Sequence, residues 1–383
     1  MAAGLLNGDD YRAVARKWLP KGLFEYIDRG TEAELAMADI RQSLDRIKLQ
    51  QAVLAGHDNV DLSVSLFDRR YSCPLIIAPT ALAGLVCHNG EAKLARVAGK
   101  FGIPFCVSTQ SVMTIEDIRK GAPDAELWLQ LYVWQNRALT WNLLERARGC
   151  GAETLVVTVD TPQGPKRDYN QRNGFAIPFI PTVRGISDVL RHPGWLCSVM
   201  LRYLMTTGMP NYAHYPREYR TAITRQTVAD DVKIEKTLSW DDIAEIRDRW
   251  RGRLILKGIL SIGDAAHAAQ IGADGIVVSA HGGRNFDLAP APATVLPAIA
   301  ATVGGKLEIM ADSGVRRGSD VLKYLALGSC SVLIGRLPLY GLAAGGEQGA
   351  KDVLAMLLDE MRSNMIFAGI GRVDEVNGNA IAR

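Results

Sequence analysis

Along the chain, short runs of aliphatic and β-branched residues alternate with longer stretches in which apolar positions recur every three or four residues. Runs of the first kind fit strands buried on both faces, and stretches of the second kind fit amphipathic helices. Eight strand-like runs stand out: LIIAP (75–79), PFCVS (104–108), LWLQLY (127–132), TLVVTVD (154–160), RLILKG (253–258), GIVVSAHG (275–282), LEIMADSG (307–314) and SVLIGR (331–336). Between them lie predicted helices such as GEAKLARVAGKFG, NRALTWNLLERARGCG, SWDDIAEIRDRWRG and GSDVLKYLALGSC, several entered at a capping Ser, Thr or Asp and left at Gly. Strand–helix alternation of this kind predicts a parallel sheet covered by helices.

Eight such units within residues 72–350 predict a (β/α)8 TIM barrel. An open doubly wound sheet is the alternative, but no GxGxxG follows an early strand. Nearly all eight runs also end in polar residues, and in a barrel those ends share one rim, where active sites sit. Residues 1–383 read as a single domain. Residues 1–70 precede the barrel and are expected to be helical, with DYRAVARKWL and KGLFEYIDRG as amphipathic pieces. The connection between the fourth and fifth runs is several times the usual length, so an insertion follows strand four, with its body at 182–216.

Composition narrows the function. With 44 basic and 41 acidic residues, a net +3, the chain has no global field suited to nucleic acid, which is excluded as a partner. Six cysteines without CxxC spacing argue against a zinc site or a disulfide framework and are expected to be reduced and mostly in the core. The first residues lack a signal-peptide pattern, which predicts a cytoplasmic location. Within the insertion, Trp195 to Met205 is an apolar run with a single arginine, Arg202, inside it, too short for a bilayer, which needs ~20 residues. Residues 184–225 carry six arginines against Asp188 and Glu218. That combination suits docking on an anionic membrane surface close to quinone, or alternatively a lid or subunit contact packed on protein.

The rim predicted by the strand ends collects Ser108, Gln130, Tyr132, Thr158, Asp160, Lys257, His281, Arg284, Asp312, Arg316 and Arg336. A lone histidine after a strand is usually structural, but here a lysine, an aspartate and several arginines converge on the same face. Gly314, Arg316, Gly335 and Arg336 follow the last two strands, where barrels commonly hold a phosphate.

Taken in order, EYIDRGTE, APTALAG, STQS, LQLY, TVDTP, LKGI, SAHGGRNFD, ADSGVRRGSD and LIGR run nearly the length of the chain. Together they resemble the FMN-dependent L-2-hydroxy acid oxidases and dehydrogenases, with features closest to the mandelate branch and then to flavin-type lactate dehydrogenases. The resemblance implies FMN over the barrel mouth, its phosphate at Gly314, Arg316, Gly335 and Arg336, with Asp312 on the ribityl chain. It implies Ala78, Pro79, Thr80, Ala81, Ser108, Gln130 and Thr158 along the ring, and Lys257 beside its negative edge. For the substrate it implies Arg284 with Tyr26 on the carboxylate, Tyr132 on the hydroxyl, His281 as base, Asp160 as the partner of the imidazolium, and Arg167 as further positive charge. Hydride and carbanion routes stay open. The expected substrate is (S)-mandelate or a similar aromatic acid, with Ala81 and LAGLVCHNG flanking its side chain; L-lactate is the alternative, and a non-enzymatic flavin-binding barrel the competing class. The electron acceptor is expected to be a membrane quinone, with cytochrome or oxygen as alternatives, and the assembly a homotetramer. Two positions depart from the family pattern. Ala280 stands where Asn is usual and is expected to lose a hydrogen bond, and Ser313 stands where Gly is common.

Overall fold

A computed structural model describes residues 4–175, 182–220 and 229–382. Among the described residues ten strands form in chain order: β1 (Val64–Leu66), β2 (Arg69–Tyr71), β3 (Leu75–Ile77), β4 (Phe105–Ser108), β5 (Leu127–Leu131), β6 (Thr154–Thr158), β7 (Arg253–Ile259), β8 (Gly275–Val278), β9 (Glu308–Ala311) and β10 (Ser331–Ile334). Strands β3 to β10 are parallel and pair in sequence order, and β10 returns to β3 to close an eight-stranded barrel. The TIM fold follows, and the doubly wound alternative falls. Most strands stop before the corresponding apolar run does, because its last residues leave the ladder to carry polar groups onto the rim. The run 275–282 pairs only as far as Val278, and His281 then turns into the left-handed region at φ 52°.

One side chain from every barrel strand (Ile76, Cys106, Trp128, Val156, Ile255, Val277, Met310 and Leu333) packs into an interior cluster. Leu66, Phe67 and Tyr71 join that cluster, so the β1–β2 hairpin closes the barrel floor. Phe67 meets the edge of the Trp128 ring at 6.3 Å, and its carbonyl accepts from Arg253 at 2.9 Å. The expectation of a helical 1–70 therefore needs correction. It holds for α1 (Gly8–Trp18), α2 (Lys21–Asp28) and α3 (Leu35–Arg46), but the rest of the segment is irregular up to the hairpin. The hairpin turns on Phe67 and Asp68, at φ 51° and 59°, a geometry usually announced by Asn-Gly or Asp-Gly.

The three N-terminal helices reach the opposite rim. On α1, Arg12 forks onto Asp28 at 2.6 and 2.7 Å, and Tyr340 donates to the same carboxylate at 2.7 Å, which fixes the end of α2 over the barrel mouth. On α3, Arg41 forks onto Asp320 at 2.8 and 2.9 Å and donates to the Gly314 carbonyl at 2.8 Å, holding the loop after β9. The cysteine expectation also changes. All six are free, but only Cys73 and Cys106 are buried, and Cys197 is exposed.

The insertion forms helical segments at Val183–Leu190 and Pro193–Thr206. One face seats on the barrel. Trp195 is buried and donates to the Leu85 carbonyl at 2.7 Å, while the Tyr203 hydroxyl accepts from the Asn89 backbone at 3.1 Å. The other face leaves Val183, Leu190, Leu204 and Met205 exposed. Beyond residue 206 the chain returns to the protein. His214 is fully buried, accepts from the Ile115 N–H at 2.9 Å, and is pushed down to about 4 chiefly by burial, so it is a neutral structural ring.

Candidate active site

The carboxyl-end rim opens into a cavity of about 630 Å³. On one wall, Ser108 at the end of β4 donates to Gln130 at 3.2 Å, and Gln130 on β5 donates to Thr158 at the end of β6 at 3.0 Å. Next to this polar arc, paired with Thr158 on the neighbouring strand, stands Lys257, buried on β7, with its ammonium 3.1 Å from the Asp312 carboxylate and 3.0 Å from the Ser279 hydroxyl. Burial works against this charge, but Asp312 and Asp160 outweigh it and hold Lys257 above the ordinary ammonium range. Strand β7 bulges after Lys257. Gly258 there sits at φ 111°, and a Cβ at that position would lie 2.5 Å from the Asp160 Cβ, so glycine is what admits the aspartate.

Asp160 lies behind the cavity wall and reaches His281. Its two oxygens are 2.9 and 3.1 Å from His281 Nδ1. Burial raises this carboxyl, but the histidine and Lys257 together hold it below its ordinary value. His281 itself is pushed down by burial against the pull of Asp160, with Lys257 adding to the downward shift, so the ring is neutral near pH 7. A neutral ring whose Nδ1–H faces a carboxylate carries its lone pair on Nε2.

Positive charge gathers on the cavity's outer side. The guanidinium groups of Arg167 and Arg284 both lie 5.2 Å from the Tyr26 ring centre. Arg284 donates to the carbonyls of Ile27 and Arg29 at 3.1 and 2.9 Å. Its desolvation, with Arg167 and Arg336 nearby, pushes it down to about 10. Arg167, Arg284 and Arg336 repel one another, and although Asp28 opposes Arg336, the surplus of positive charge makes an anion site. Tyr132 lines the same space and is pushed up to about 12, first by burial and then by Asp160, so it stays a hydroxyl donor.

Every residue expected at the site lines this cavity except Asp160, which acts from behind it. Arg336 lines the cavity as well, with its Nε and Nη2 donating to the Ile27 and Gly282 carbonyls at 3.1 and 2.9 Å. The expectation that LAGLVCHNG flanks a substrate also needs correction. Leu82, Leu85 and Val86 are buried core under the insertion, and only Ala81, just ahead of them, faces the cavity. Ala280 packs in an apolar cluster with Ile40, Ala289 and Ala291, so its methyl group fills a dry space. Ser313, at φ 82°, accepts from the Gly282 N–H at 3.0 Å and donates to Asp312 at 2.8 Å, tying the loop after β9 to the histidine loop.

Sequence reasoning missed three residues. Ser279 shares a motif with His281 and could have been noticed as the first polar residue after β8. Asn285 lies in the same motif. Tyr212 comes from the far end of the insertion and lines the cavity through tertiary packing alone.

The residues fit a flavin mononucleotide. Lys257 is a buried ammonium facing the cavity, Arg167 Nε is buried without a partner, and Gly314, at φ 79°, would put a Cβ 2.5 Å from Ile40. Only glycine lets α3 press this closely on that loop, which borders the cavity.

Comparison with known proteins agrees. The profile of the FMN-dependent dehydrogenase family matches residues 15–383. The chain is 40% identical over 379 residues to an L-lactate dehydrogenase of Pseudomonas entomophila (strain L48), covering 98% of this chain and 97% of that protein. Among solved structures, it resembles (S)-mandelate dehydrogenase, described as a monotopic membrane protein, at TM-score 0.91 and 34% identity, covering 99% of each chain. It also resembles a soluble mutant of the membrane-associated (S)-mandelate dehydrogenase from Pseudomonas putida, at TM-score 0.82 and 32% identity, again covering 99% of each chain. Matched over nearly its whole length in sequence and in fold, this chain belongs to the FMN-dependent dehydrogenases that oxidise 2-hydroxy acids.

Proposed function

We propose (S)-mandelate, or a similar aromatic L-2-hydroxy acid, as the substrate, oxidised to its 2-oxo acid. One observation carries the reading of the site: the His281–Asp160 pair and the Arg167–Arg284 cluster meet at a single cavity. Arg284 and Arg167, braced on Tyr26, hold the carboxylate, because guanidinium forks match its two oxygens. Tyr132 donates to the oxygen on the neighbouring carbon. His281 Nε2 takes a proton from the substrate, and Asp160 stabilises the imidazolium that results. FMN, when bound, supplies the acceptor for the two electrons. Gly314, Arg316, Gly335 and Arg336 would hold its phosphate and Asp312 its ribityl chain, while Ala78, Pro79, Thr80, Ala81, Ser108, Gln130 and Thr158 would border its ring. Lys257 supplies a fixed positive charge to that ring.

The aromatic preference rests on the wall of the cavity, where Tyr26, Tyr132 and Tyr212 stand and Ala81 is small. A ring among such side chains gains about 0.5–1.5 kcal/mol beyond its area burial, which alone is worth up to about 10-fold. L-lactate is the second reading, favoured by the lactate dehydrogenases at 40% identity. Steady-state kcat/KM for the two acids separates them: a larger value for (S)-mandelate supports the first reading, and a larger value for L-lactate replaces it with the second.

We further propose that the insertion docks on the anionic inner face of the cell membrane and passes electrons to quinone. No helix among the described residues is long and apolar enough to cross a membrane. The outward face of 183–206 instead exposes Val183 at 87%, Leu190 at 63% and Met205 at 78%, flanked by exposed Arg184, Arg191 and Arg202. An amphipathic surface of this composition binds in the plane of the headgroups. Arg225, counted in the sequence reading, lies outside the described residues. Flotation with anionic liposomes at low salt should carry the intact protein upward, and a Leu190→Glu, Leu204→Glu, Met205→Glu variant should stay below while oxidising the acid at the parent rate with a soluble dye. An intact protein that stays in the soluble fraction contradicts the docking. For the assembly we propose a homotetramer, supported by the exposed Leu35, Phe286 and Leu288 beside the histidine loop; light scattering reads its mass directly.

A further inference from the structure

Asn285 lies one residue beyond Arg284, yet it faces the other partner of the site. Its side-chain nitrogen is 2.8 Å from the Thr161 hydroxyl, 3.0 Å from the Asp160 carbonyl, 3.3 Å from the Asp160 carboxylate and 3.0 Å from His281 Nδ1. Two of these neighbours are pure acceptors, so the amide NH2, and not its oxygen, belongs on this side. We propose that Asn285 is a positioning residue, which clamps the Asp160 carboxylate against His281 and so keeps the imidazole in the tautomer with Nε2 open to the substrate. The inference rests on the reading of His281 as the base.

The argument is one of hydrogen-bond supply. Asp160 leaves a strand end beside the β7 bulge and has no helix to orient it. Its Oδ1 takes the His281 Nδ1–H at 2.9 Å, and the same oxygen lies 3.3 Å from both the Thr161 hydroxyl and the Asn285 amide. Those two donors are what stops the carboxylate from rotating away from the ring. An amide nitrogen beside Nδ1 cannot accept a proton from it, so the Nδ1–H has only Asp160 to go to. The amide also adds no charge. His281 already faces Asp160 after β6, Lys257 on β7 and Asp312 after β9, and a further carboxylate would favour the imidazolium, which cannot act as a base.

Two variants test this in the FMN-loaded protein. Asn285→Ala removes the clamp. Because misplacing a reacting group by about an ångström can cost on the order of 10²-fold, kcat should fall about 10- to 100-fold, with KM for the acid within about twofold of the parent. Asn285→Asp is close in shape but adds a charge. It should move the acid limb of the kcat/KM profile upward by roughly one pH unit or more, and move the titration of one of the protein's six histidines by the same amount in side-chain NMR spectra. Parent kcat and pH profile in both variants would overturn the proposal, as would an unmoved His281 resonance in Asn285→Asp. The NMR titration needs no turnover, so it decides the role of Asn285 even if no 2-hydroxy acid proves to be a substrate, an outcome that would count against the proposed function alone.

Discussion

Reduction of the bound flavin by a 2-hydroxy acid should fall by about 10²–10⁴ in His281→Ala, with FMN still bound. Among the described residues of the cavity, the ring is the one neutral titratable group paired to a carboxylate through one nitrogen and open at the other. Its neighbours Lys257, Ser279 and Asp312, on the side proposed for the flavin, hold one another independently of the imidazole, so cofactor retention should survive the change. The main-chain N–H of residue 281 also keeps its bond to Ser279. The alanine must adopt the left-handed backbone found at this position, which costs about 1–2 kcal/mol, so the measurement should be rapid-mixing reduction of a variant whose flavin content has been verified. In the parent, burial holds His281 below the ordinary imidazole value of about 6.5. A base with a depressed value is lost only as pH falls through that lower value, so the acid limb should lie below about 6.5. Near-parental reduction by His281→Ala would remove the histidine from the role of base.

The second large effect is expected at Arg284→Lys, and it should appear in binding. A lysine keeps one charge but cannot present two parallel N–H bonds to a carboxylate, and it forfeits the bonds that Arg284 makes to the Ile27 and Arg29 carbonyls. Loss of such a charge-assisted contact is worth about 1.5–3 kcal/mol, or roughly 10- to 150-fold in dissociation constant. Titrating the variant with a non-reacting carboxylate and following the flavin spectrum gives the number. Unchanged affinity would place the carboxylate elsewhere in the arginine cluster.

Much of this was legible in the chain because nearly every barrel strand is bracketed by helical pattern and ends in a polar residue that a rim accommodates. Ser108, Gln130, Thr158 and Lys257 announce that rim from inside otherwise apolar runs. The hairpin was not legible, since three-residue strands around a Phe-Asp turn carry neither alternation nor a glycine signal. Ala280 reads in sequence as a lost hydrogen bond; in the fold α3 brings Ile40 over it, and a methyl group is what that dry contact accepts. The direction of Arg336 depends on carbonyls presented by the end of α2, more than three hundred positions earlier, which no local pattern reports. Tyr212 is similar: its place at the cavity is set by how the insertion returns to the barrel. The insertion itself read as either a packed lid or an exposed amphipathic surface. Trp195 and Tyr203 are anchored to the barrel, whereas Leu204 and Met205 are exposed, so each description fits one face.

The most direct test of the account is an anaerobic titration of the FMN-loaded protein, following the visible absorption of the flavin as single acids are added. (S)-Mandelate or L-lactate should bleach it, the opposite enantiomers should not, and His281→Ala should stay yellow over the same interval. A protein that retains its flavin and is bleached by no 2-hydroxy acid, or by both hands equally, would contradict the assignment of this cavity.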